Sequence, residues 1–188
     1  MSNSILPIIE ERWSPRAFSS KSISKEDLNL LFKAAGKAAS CFNEQPWRFV
    51  YAGKEDTENF DRLVSCLTEF NQVWAKNAAV LVATLAKKNF EQTGEPNKHS
   101  WHDVGLAMGN MSLQAMSMDI YLHHMAGYES EKAIEKLDIP TDFEPVSFVA
   151  IGHLGDKEQL PNDLKEKESP KSPRKDLDEI TFVGKMGK

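Results

Sequence analysis

The chain has 188 residues, a formal net charge of −5 and 27% charged residues. This length suits one domain with a substantial core, so we expect residues 1–188 to form a single domain, with residues 156–188 as an extended C-terminal arm. Proteins that bind nucleic acid usually carry a basic patch or stripe, and the mildly acidic balance gives no reason to expect that function.

Nothing in the sequence indicates export or membrane insertion. The N-terminal stretch "MSNSILPIIEERW" lacks the basic start and long apolar core of a signal peptide. The longest apolar segment, "VGLAMGNMSLQAMSMDIYLHHM", contains Asn110, Gln114 and Asp119, which favours a buried helix over a membrane span. Cys41 and Cys66 form no CxxC pair, and we expect both to be reduced thiols of a cytosolic protein. We therefore expect a cytoplasmic protein.

The predicted elements begin with a short helix over about residues 3–13. A clearer helix follows in "SISKEDLNLLFKAAGKA", where Ser24 can act as the N-cap and Asp27 completes a capping-box pattern. The stretch "WRFVYAG" predicts a strand that Gly53 ends. Helical spacing returns over "KEDTENFDRLVSCLTEF".

The second half of the chain predicts two core strands and two helices. The apolar run "NAAVLVATLA" suits a central strand covered on both faces. The segment His99–Met125 is apolar nearly all round and predicts a core helix, whose Gly105 and Gly109 would allow another backbone to approach. A short helix in "SEKAIEKLDIP" and a strand in "EPVSFVAIGHLG" follow. The fold class is α+β, with a central mixed, mostly antiparallel sheet flanked by helices.

The sequence changes character after Gly155. The stretch is densely charged and has few apolar residues until Ile180, Phe182 and Val183. Such a segment cannot build a core of its own. It is therefore either a disordered tail or an arm that lays its end on another surface. The alternation in "EITFV" favours an arm that ends in an added strand.

Several common chemistries are excluded by their missing motifs. There is no glycine-rich phosphate loop, no G-x-S-x-G elbow and no H-E-x-x-H arrangement among the five histidines, so we expect no metal site. His102 and Asp103 are adjacent on a predicted helix and should point in different directions, which argues against a general-base pair.

Two polar clusters remain as candidate sites. Arg12, Ser14 and Arg16 could bind an anion, because the arginine fork donates paired hydrogen bonds to phosphate and stays charged. Taken alone, ordinary surface salt bridging is the better interpretation of this cluster. Asn43 and Gln45 lie in "AASCFNEQPWRFV", and their carboxamides match the edge of a uracil-like heterocycle. Loops of this kind often only cap a helix.

The ordered set of these motifs resembles the FMN-dependent nitroreductase family. The arginine–x–serine–x–arginine element "RWSPR" comes first, and a small-residue loop with asparagine before glutamine-proline-tryptophan, "SCFNEQPWRF", comes second. The glycine-aromatic turn "MAGY", the block "LDIPTDFEPVSFVAIGHLGD" and the tail "SPRKDLDEITFVGKMG" complete the pattern. The resemblance covers nearly the whole chain. It implies a nitroreductase-like three-layer sandwich and a homodimer that exchanges its C-terminal arms.

The resemblance also assigns the residues that would hold the FMN phosphate. Arg12, Ser14 and the tail's Arg174 would bind the phosphate, and Arg16 would lie near the N1/O2 side of the isoalloxazine. This phosphate site would rely on charge-assisted hydrogen bonds in place of a glycine loop.

The flavin ring would be bound by residues from two further segments. Asn43, with Gln45 close by, would meet the pyrimidine edge. The backbone at Ala126 and Gly127 would approach N5. Some relatives have an acidic residue where this chain has Ala126, but a backbone donor does not depend on the side chain.

The implied activity is reduction of nitroaromatic, quinone or related electron-poor acceptors in a ping-pong cycle, with NADH or NADPH passing hydride to flavin N5. No side chain is nominated as catalytic, since the flavin carries the chemistry. Three alternatives stay open: a same-fold flavoenzyme with another reaction such as dehalogenation or dehydrogenation, a non-catalytic FMN-binding or storage protein, and a flavin-free helical interaction protein. The short stretch between Glu91 and His99 leaves little material to cover the substrate face.

Overall fold

A four-stranded antiparallel sheet lies at the centre of the computed structural model, which describes residues 4–169 and 172–186. The strands are β1 (Trp47–Gly53), β2 (Val80–Lys87), β3 (Tyr121–Met125) and β4 (Phe143–Gly152). Their order across the sheet is β1-β2-β4-β3, so β1 and β3 form the two edges. Every pairing between these strands is antiparallel.

Short helices and one long helix surround the sheet. The α-helices of the described residues are α1 (Pro7–Glu11), α2 (Lys25–Ala35), α3 (Thr57–Ser65), α4 (Glu69–Ala75), α5 (Ser100–Met116), α6 (Ser130–Lys136), α7 (Asn162–Lys165) and α8 (Leu177–Ile180). None of them is both long and apolar enough to cross a lipid bilayer.

Each face of the sheet carries its own hydrophobic core. Because side chains alternate along a strand, Leu81 and Ala83 of β2 point to a core with α3, α4 and α6, whereas Val80 and Val82 point to a core with α2 and α5. Both faces of β2 are therefore covered, as its continuous apolar run predicts. The result is a three-layer α+β arrangement of helices, sheet and helices.

Four predicted elements, three strands and one helix, are confirmed with little change. β1 ends at Gly53, β2 fills the centre of the sheet and β4 covers the last predicted strand. Helix α2 begins after Ser24, whose Oγ accepts a hydrogen bond from the Asp27 N–H at 3.0 Å.

The predicted helix over His99–Met125 is too long. Helix α5 ends at Met116, and the chain turns through Asp119, whose φ of 54° lies in the left-handed region. The remainder becomes β3, which pairs with β4 and buries Leu122 and Met125. A continuous apolar run does not reveal such a change from helix to strand.

The predicted helix in residues 54–70 is also divided. Helix α3 ends at Ser65, and α4 begins at Glu69. Between them, Leu67 is fully buried and forms a bridge with Tyr128. This long-range pairing overrides the helical spacing.

The prediction of an added strand at "EITFV" is wrong in the described chain. Residues Leu177–Ile180 form helix α8, in which Asp176 and Glu179 make a capping box. Local side-chain hydrogen bonds thus satisfy the backbone at the start of the helix. Beyond α8, Phe182 and Val183 are exposed, so the arm presents apolar side chains to solvent.

Candidate functional site

A cavity of about 340 Å³ lies where the segment after α1 meets β3 and the C-terminal arm, and we call it the basic cavity. Its lining combines basic, hydroxyl and aromatic side chains: Arg12, Trp13, Ser14, Arg16, His123, Lys167, Glu168, Ser169, Ser172 and Arg174. The three arginines and Lys167 outweigh the single carboxylate of Glu168. The balance of charge therefore suits an anionic ligand.

The N-terminal wall of this cavity is fixed by a short bridge to the end of the sheet. Phe18 pairs with Leu154, and the Gly155 N–H donates to the Ala17 carbonyl at 2.9 Å. A Cβ at position 155 would lie 2.4 Å from the carbonyl carbon of Phe18, so only glycine allows this approach. Phe18 itself is buried, which holds the preceding arginine segment against the sheet.

The basic side chains of the cavity are only partly neutralised by the protein. Arg12 Nη1 donates to Ser14 Oγ at 3.3 Å, and Arg16 Nη1 lies 3.7 Å from Glu168 Oε2. Arg16 Nε is buried and has no hydrogen-bond partner in the described part of the chain. An unpaired buried donor costs free energy, and an anion in the cavity offers the kind of acceptor that it lacks. Among the described residues, Arg174 Nη1 donates to nearby carbonyls of its own arm, those of Ser172 at 3.2 Å and Pro173 at 3.3 Å.

His123 adds a neutral polar group to the basic cavity. Its Nδ1 lies 2.9 Å from the Pro15 carbonyl oxygen, and its ring centroid is 4.4 Å from that of the buried Trp74. Burial lowers the pKa of His123 to about 4, and the charge of Arg16 adds to this effect. At neutral pH the uncharged ring therefore donates from Nδ1 to the carbonyl.

His124 points to the opposite face of the sheet and lines an apolar groove of about 610 Å³ along α5. Its Nε2 lies 3.3 Å from Ser112 Oγ, and burial lowers its pKa to about 4. Arg12 lines both the groove and the basic cavity, so the two volumes adjoin at that side chain. Neither histidine is among the predicted site residues, because the predicted helix over His99–Met125 contains both.

The apolar groove exposes a face of α5 that the sequence predicts to be buried. Trp101 and Leu106 are substantially exposed, and a Cβ at Gly105 or Gly109 would meet no atom within 4 Å. The two glycines therefore leave open space on this face. In the described chain, no other backbone segment packs against α5 at these two glycines.

The predicted carboxamides lie in a strained loop before β1, which we call the amide loop (Ser40–Gln45). Phe42, Asn43 and Gln45 all have φ between 50° and 59°, which is uncommon for residues other than glycine. The Gln45 Nε2 group donates to the Asn43 carbonyl at 3.1 Å. The Phe42 side chain is 90% exposed, so burial of this side chain does not hold the loop in its conformation.

A buried carboxylate of α5 holds the amide loop. Asp103 Oδ2 accepts a hydrogen bond from the Cys41 N–H at 2.9 Å. Asp103 Oδ1 lies 3.2 Å from His102 Nδ1, so the expectation that these adjacent side chains point apart is wrong. His102 is exposed and Asp103 is buried. The role of Asp103 toward the loop had no signal in the sequence, because the two segments are distant along the chain.

Ala126 and Gly127 directly follow β3. The Gly127 carbonyl accepts hydrogen bonds from the Thr68 N–H at 3.1 Å, Thr68 Oγ1 at 3.2 Å and Asn71 Nδ2 at 2.9 Å. A Cβ at position 127 would lie 2.5 Å from Asn71 Nδ2, so a larger residue there would displace the Asn71 side chain from this hydrogen bond. The Gly127 N–H donates to no other residue in the described part of the chain, which leaves it available to a ligand.

The chain brings together only some of the predicted site residues. Arg12, Ser14, Arg16 and Arg174 share the basic cavity. The amide loop precedes β1 at one edge of the sheet, and Gly127 follows β3 at the other edge. These edges are three strand spacings apart, about 14 Å. A single chain therefore does not place the carboxamides of Asn43 and Gln45 beside the cavity.

Comparisons with known proteins agree with this fold. A family model described as the nitroreductase family matches residues 9–153. A solved structure of an oxidoreductase containing FMN has a TM-score of 0.92 and 39% sequence identity, covering 100% of this chain and 99% of that one. The FMN reductase (NADPH) of Bacillus subtilis (strain 168) is 28% identical over 181 residues, which covers 86% of this chain and 71% of that protein.

A more distant solved structure shares the same fold. The nitroreductase family protein of Clostridium difficile 630 has a TM-score of 0.73 at 18% identity, covering 95% of this chain and 97% of that one. The family model spans most of the chain, including the first arginine segment, the amide loop and all four strands. This chain therefore belongs to the nitroreductase family.

Proposed function

We propose that this protein is an FMN-dependent NAD(P)H oxidoreductase that reduces nitroaromatic, quinone or related electron-poor acceptors. The observation that carries the proposal is the basic cavity, in which Arg12, Ser14, Arg16 and Arg174 come from opposite ends of the chain. The similarity to an oxidoreductase containing FMN over the full length supports the choice of cofactor.

The residues present fit the phosphate of FMN. Arg12, Ser14 and Arg174 would hold it by charge-assisted hydrogen bonds. Arg16 lies in the same cavity with an unpaired, buried Nε, and it would add positive charge on the side of the flavin that faces it. His123 stays neutral at physiological pH, so it offers a hydrogen-bonding group without adding charge.

When bound, FMN supplies the hydride chemistry, and the protein supplies orientation and electrostatics. The Gly127 N–H is held at a fixed position by the three hydrogen bonds to its carbonyl, and it would donate to the ring nitrogen that exchanges hydride. No side chain is required as an acid or base for this role. The nicotinamide and the acceptor would use the same open face in turn.

We also propose that the working form is a homodimer in which each chain is one domain, with residues 156–188 as its arm. The amide loop lies at the sheet edge opposite Gly127, so a second copy could supply Asn43 and Gln45 to the flavin ring. The open glycines of α5 and the exposed apolar groove offer a surface for that copy. Exposed apolar residues of the arm, including Phe182 and Val183, need a surface to cover them.

The proposal is tested by reducing the bound flavin. Purified protein loaded with FMN should show the flavin visible spectrum, and stopped-flow mixing with NADPH or NADH should bleach it. Addition of a quinone or nitroaromatic should then restore the colour with steady turnover. A bound flavin that neither NADPH nor NADH reduces would contradict the proposed oxidoreductase activity and favour a role in FMN storage. Protein that binds no FMN would contradict both and favour an interaction protein.

A further inference from the structure

Of the described residues that line the basic cavity, Glu168 alone is acidic, and its contacts join the two ends of the chain. Its Oε1 accepts hydrogen bonds from the backbone N–H groups of Arg16 at 2.7 Å and Ala17 at 2.9 Å. The Arg16 contact spans 152 residues of sequence. The side chain of Glu168 is 3% exposed, whereas the neighbouring Lys167 is exposed.

This carboxylate is not used in binding the phosphate, since both groups are negative. Its Oε2 is buried, has no hydrogen-bond partner in the described chain and lies 3.7 Å from Arg16 Nη1. Burial of a charge is costly unless it is paired and hydrogen-bonded. The two backbone donors and the Arg16 guanidinium supply that compensation, so Glu168 fixes the arm to the N-terminal segment.

The position of this contact determines where Arg174 can lie. Before Glu168, helix α7 packs Leu164 into the core beneath the sheet. After Glu168, the described arm residues Ser169, Ser172 and Arg174 all line the basic cavity. Arg174 is exposed, and within the described residues its hydrogen bonds go to carbonyls of the arm. The Arg174 contacts do not by themselves attach the arm to the cavity.

We propose that Glu168 is a positioning residue: it fastens the arm to the backbone of Arg16 and Ala17 and thereby delivers Arg174 to the ligand phosphate. The inference rests on the proposed function for the identity of that ligand, FMN. The role of Glu168 is to bind the protein backbone, while the arginines bind the phosphate. This role is separate from that of the apolar end of the arm beyond Arg174.

A double-mutant cycle on FMN affinity tests this role. The dissociation constant of FMN is measured by quenching of flavin fluorescence for the wild type, E168A, R174A and the double variant. We expect R174A alone to weaken binding about 10-fold, as for loss of a charge-assisted hydrogen bond. In the E168A background the same change should weaken binding less than about 2-fold, because Arg174 is no longer delivered. Equal factors in both backgrounds would overturn the proposal.

The conservative variant and a matched control separate positioning from general loss of structure. E168Q keeps an oxygen that can accept from both backbone N–H groups, so its FMN affinity should stay within about 3-fold of the wild type, well above that of E168A. E158A removes an exposed carboxylate of the same arm, which pairs with Lys165 at 2.8 Å, and should leave affinity unchanged. Tighter FMN binding by E168A would show that the carboxylate competes with the phosphate and would contradict the inference.

A measurement without FMN distinguishes this inference from the proposed function. Hydrogen exchange of the ligand-free protein, followed by mass spectrometry, reports on the amides of Arg16 and Ala17. Both should exchange at least about 10-fold faster in E168A and at the wild-type rate in E158A. Unchanged exchange in E168A would overturn the anchor. Faster exchange in a protein that binds no FMN would keep the anchor and refute the proposed cofactor.

Discussion

Neutral histidines lie on both faces of β3, and they stay neutral first because of burial and second because of the positive charges around them. His123 is close to the guanidinium of Arg16, and His124 is near that of Arg12. Burial is the larger cause of the lowered pKa in each case, and the arginine charge adds to it. Protonation of either ring would place a further positive charge beside a cluster that is already cationic.

The stability of the protein should therefore fall in mildly acidic solution. Both histidines have a pKa of about 4 in the folded chain, against an ordinary value of 6.5 when unfolded. Between these values the unfolded state binds more protons, so the free energy of unfolding falls as the pH decreases from about 6.5 toward 4. For His123, the less exposed of the two, the limiting slope is about 1.4 kcal/mol per pH unit. His124 is more exposed to solvent, which screens its charge, so its contribution is smaller.

Urea unfolding at pH 7 and pH 5 measures this loss. The double variant H123Q/H124Q should lose about 2 kcal/mol less than the wild type between these pH values. The control H99Q alters an exposed histidine and should retain the wild-type pH dependence. Identical pH dependence in the double variant and the wild type would show that the two rings are not kept neutral by folding.

At the scale of elements, the amide loop depends on α5 for its shape. Its residues adopt left-handed backbone angles, and a single buried carboxylate, that of Asp103, accepts the Cys41 N–H. Strained backbone persists only where the surroundings hold it in place. The loop that carries the predicted carboxamides is therefore set by a helix that is distant from it in sequence.

Replacing Asp103 by alanine should destabilise the protein. The half-buried Cys41 N–H would lose its buried acceptor, and the free energy of unfolding should fall by about 2 kcal/mol. Urea unfolding of D103A measures this change, with D61A as a control because Asp61 is an exposed acid on α3. We expect D61A to stay within about 0.5 kcal/mol of the wild type. Equal stability of the two variants would mean that the Asp103 contact does not hold the loop.

At the scale of the whole molecule, removal of the arm should weaken ligand binding more than it affects folding of the sheet. No strand of the described sheet comes from residues after Gly152. A chain that ends at Ser169 keeps Glu168 but loses Arg174, and it should fold while binding FMN at least about 10-fold more weakly. The measurement is FMN affinity by fluorescence quenching.

A second truncation is the control for that result. A chain that ends at Lys175 keeps Arg174 and removes the exposed apolar end, so it should bind FMN better than the shorter chain. Its dimer should be weaker in sedimentation experiments, because Phe182 and Val183 are missing from the proposed contact. Stoichiometric flavin in the shorter chain would contradict the role of the arm.

Much of the fold could be predicted from local sequence, but the site could be predicted only in part. The capping of α2 by Ser24 and the apolar run of β2 are local signals, and both predictions are confirmed. The change from α5 to β3 and the anchor at Glu168 depend on contacts with distant segments, which periodicity does not encode. The grouping of Arg12 with Arg174 followed from resemblance to a family, because no local rule joins the two ends of a chain.

The central claim is that arginines from both ends of the chain bind the phosphate of FMN. The most direct measurement is the amount of flavin retained after dialysis by R12A/R174A. The control is R62A, which changes a partly exposed arginine of α3 that pairs with Glu58. We predict that the double variant becomes colourless, whereas R62A keeps the flavin content of the wild type. Full retention of flavin by R12A/R174A would contradict the account.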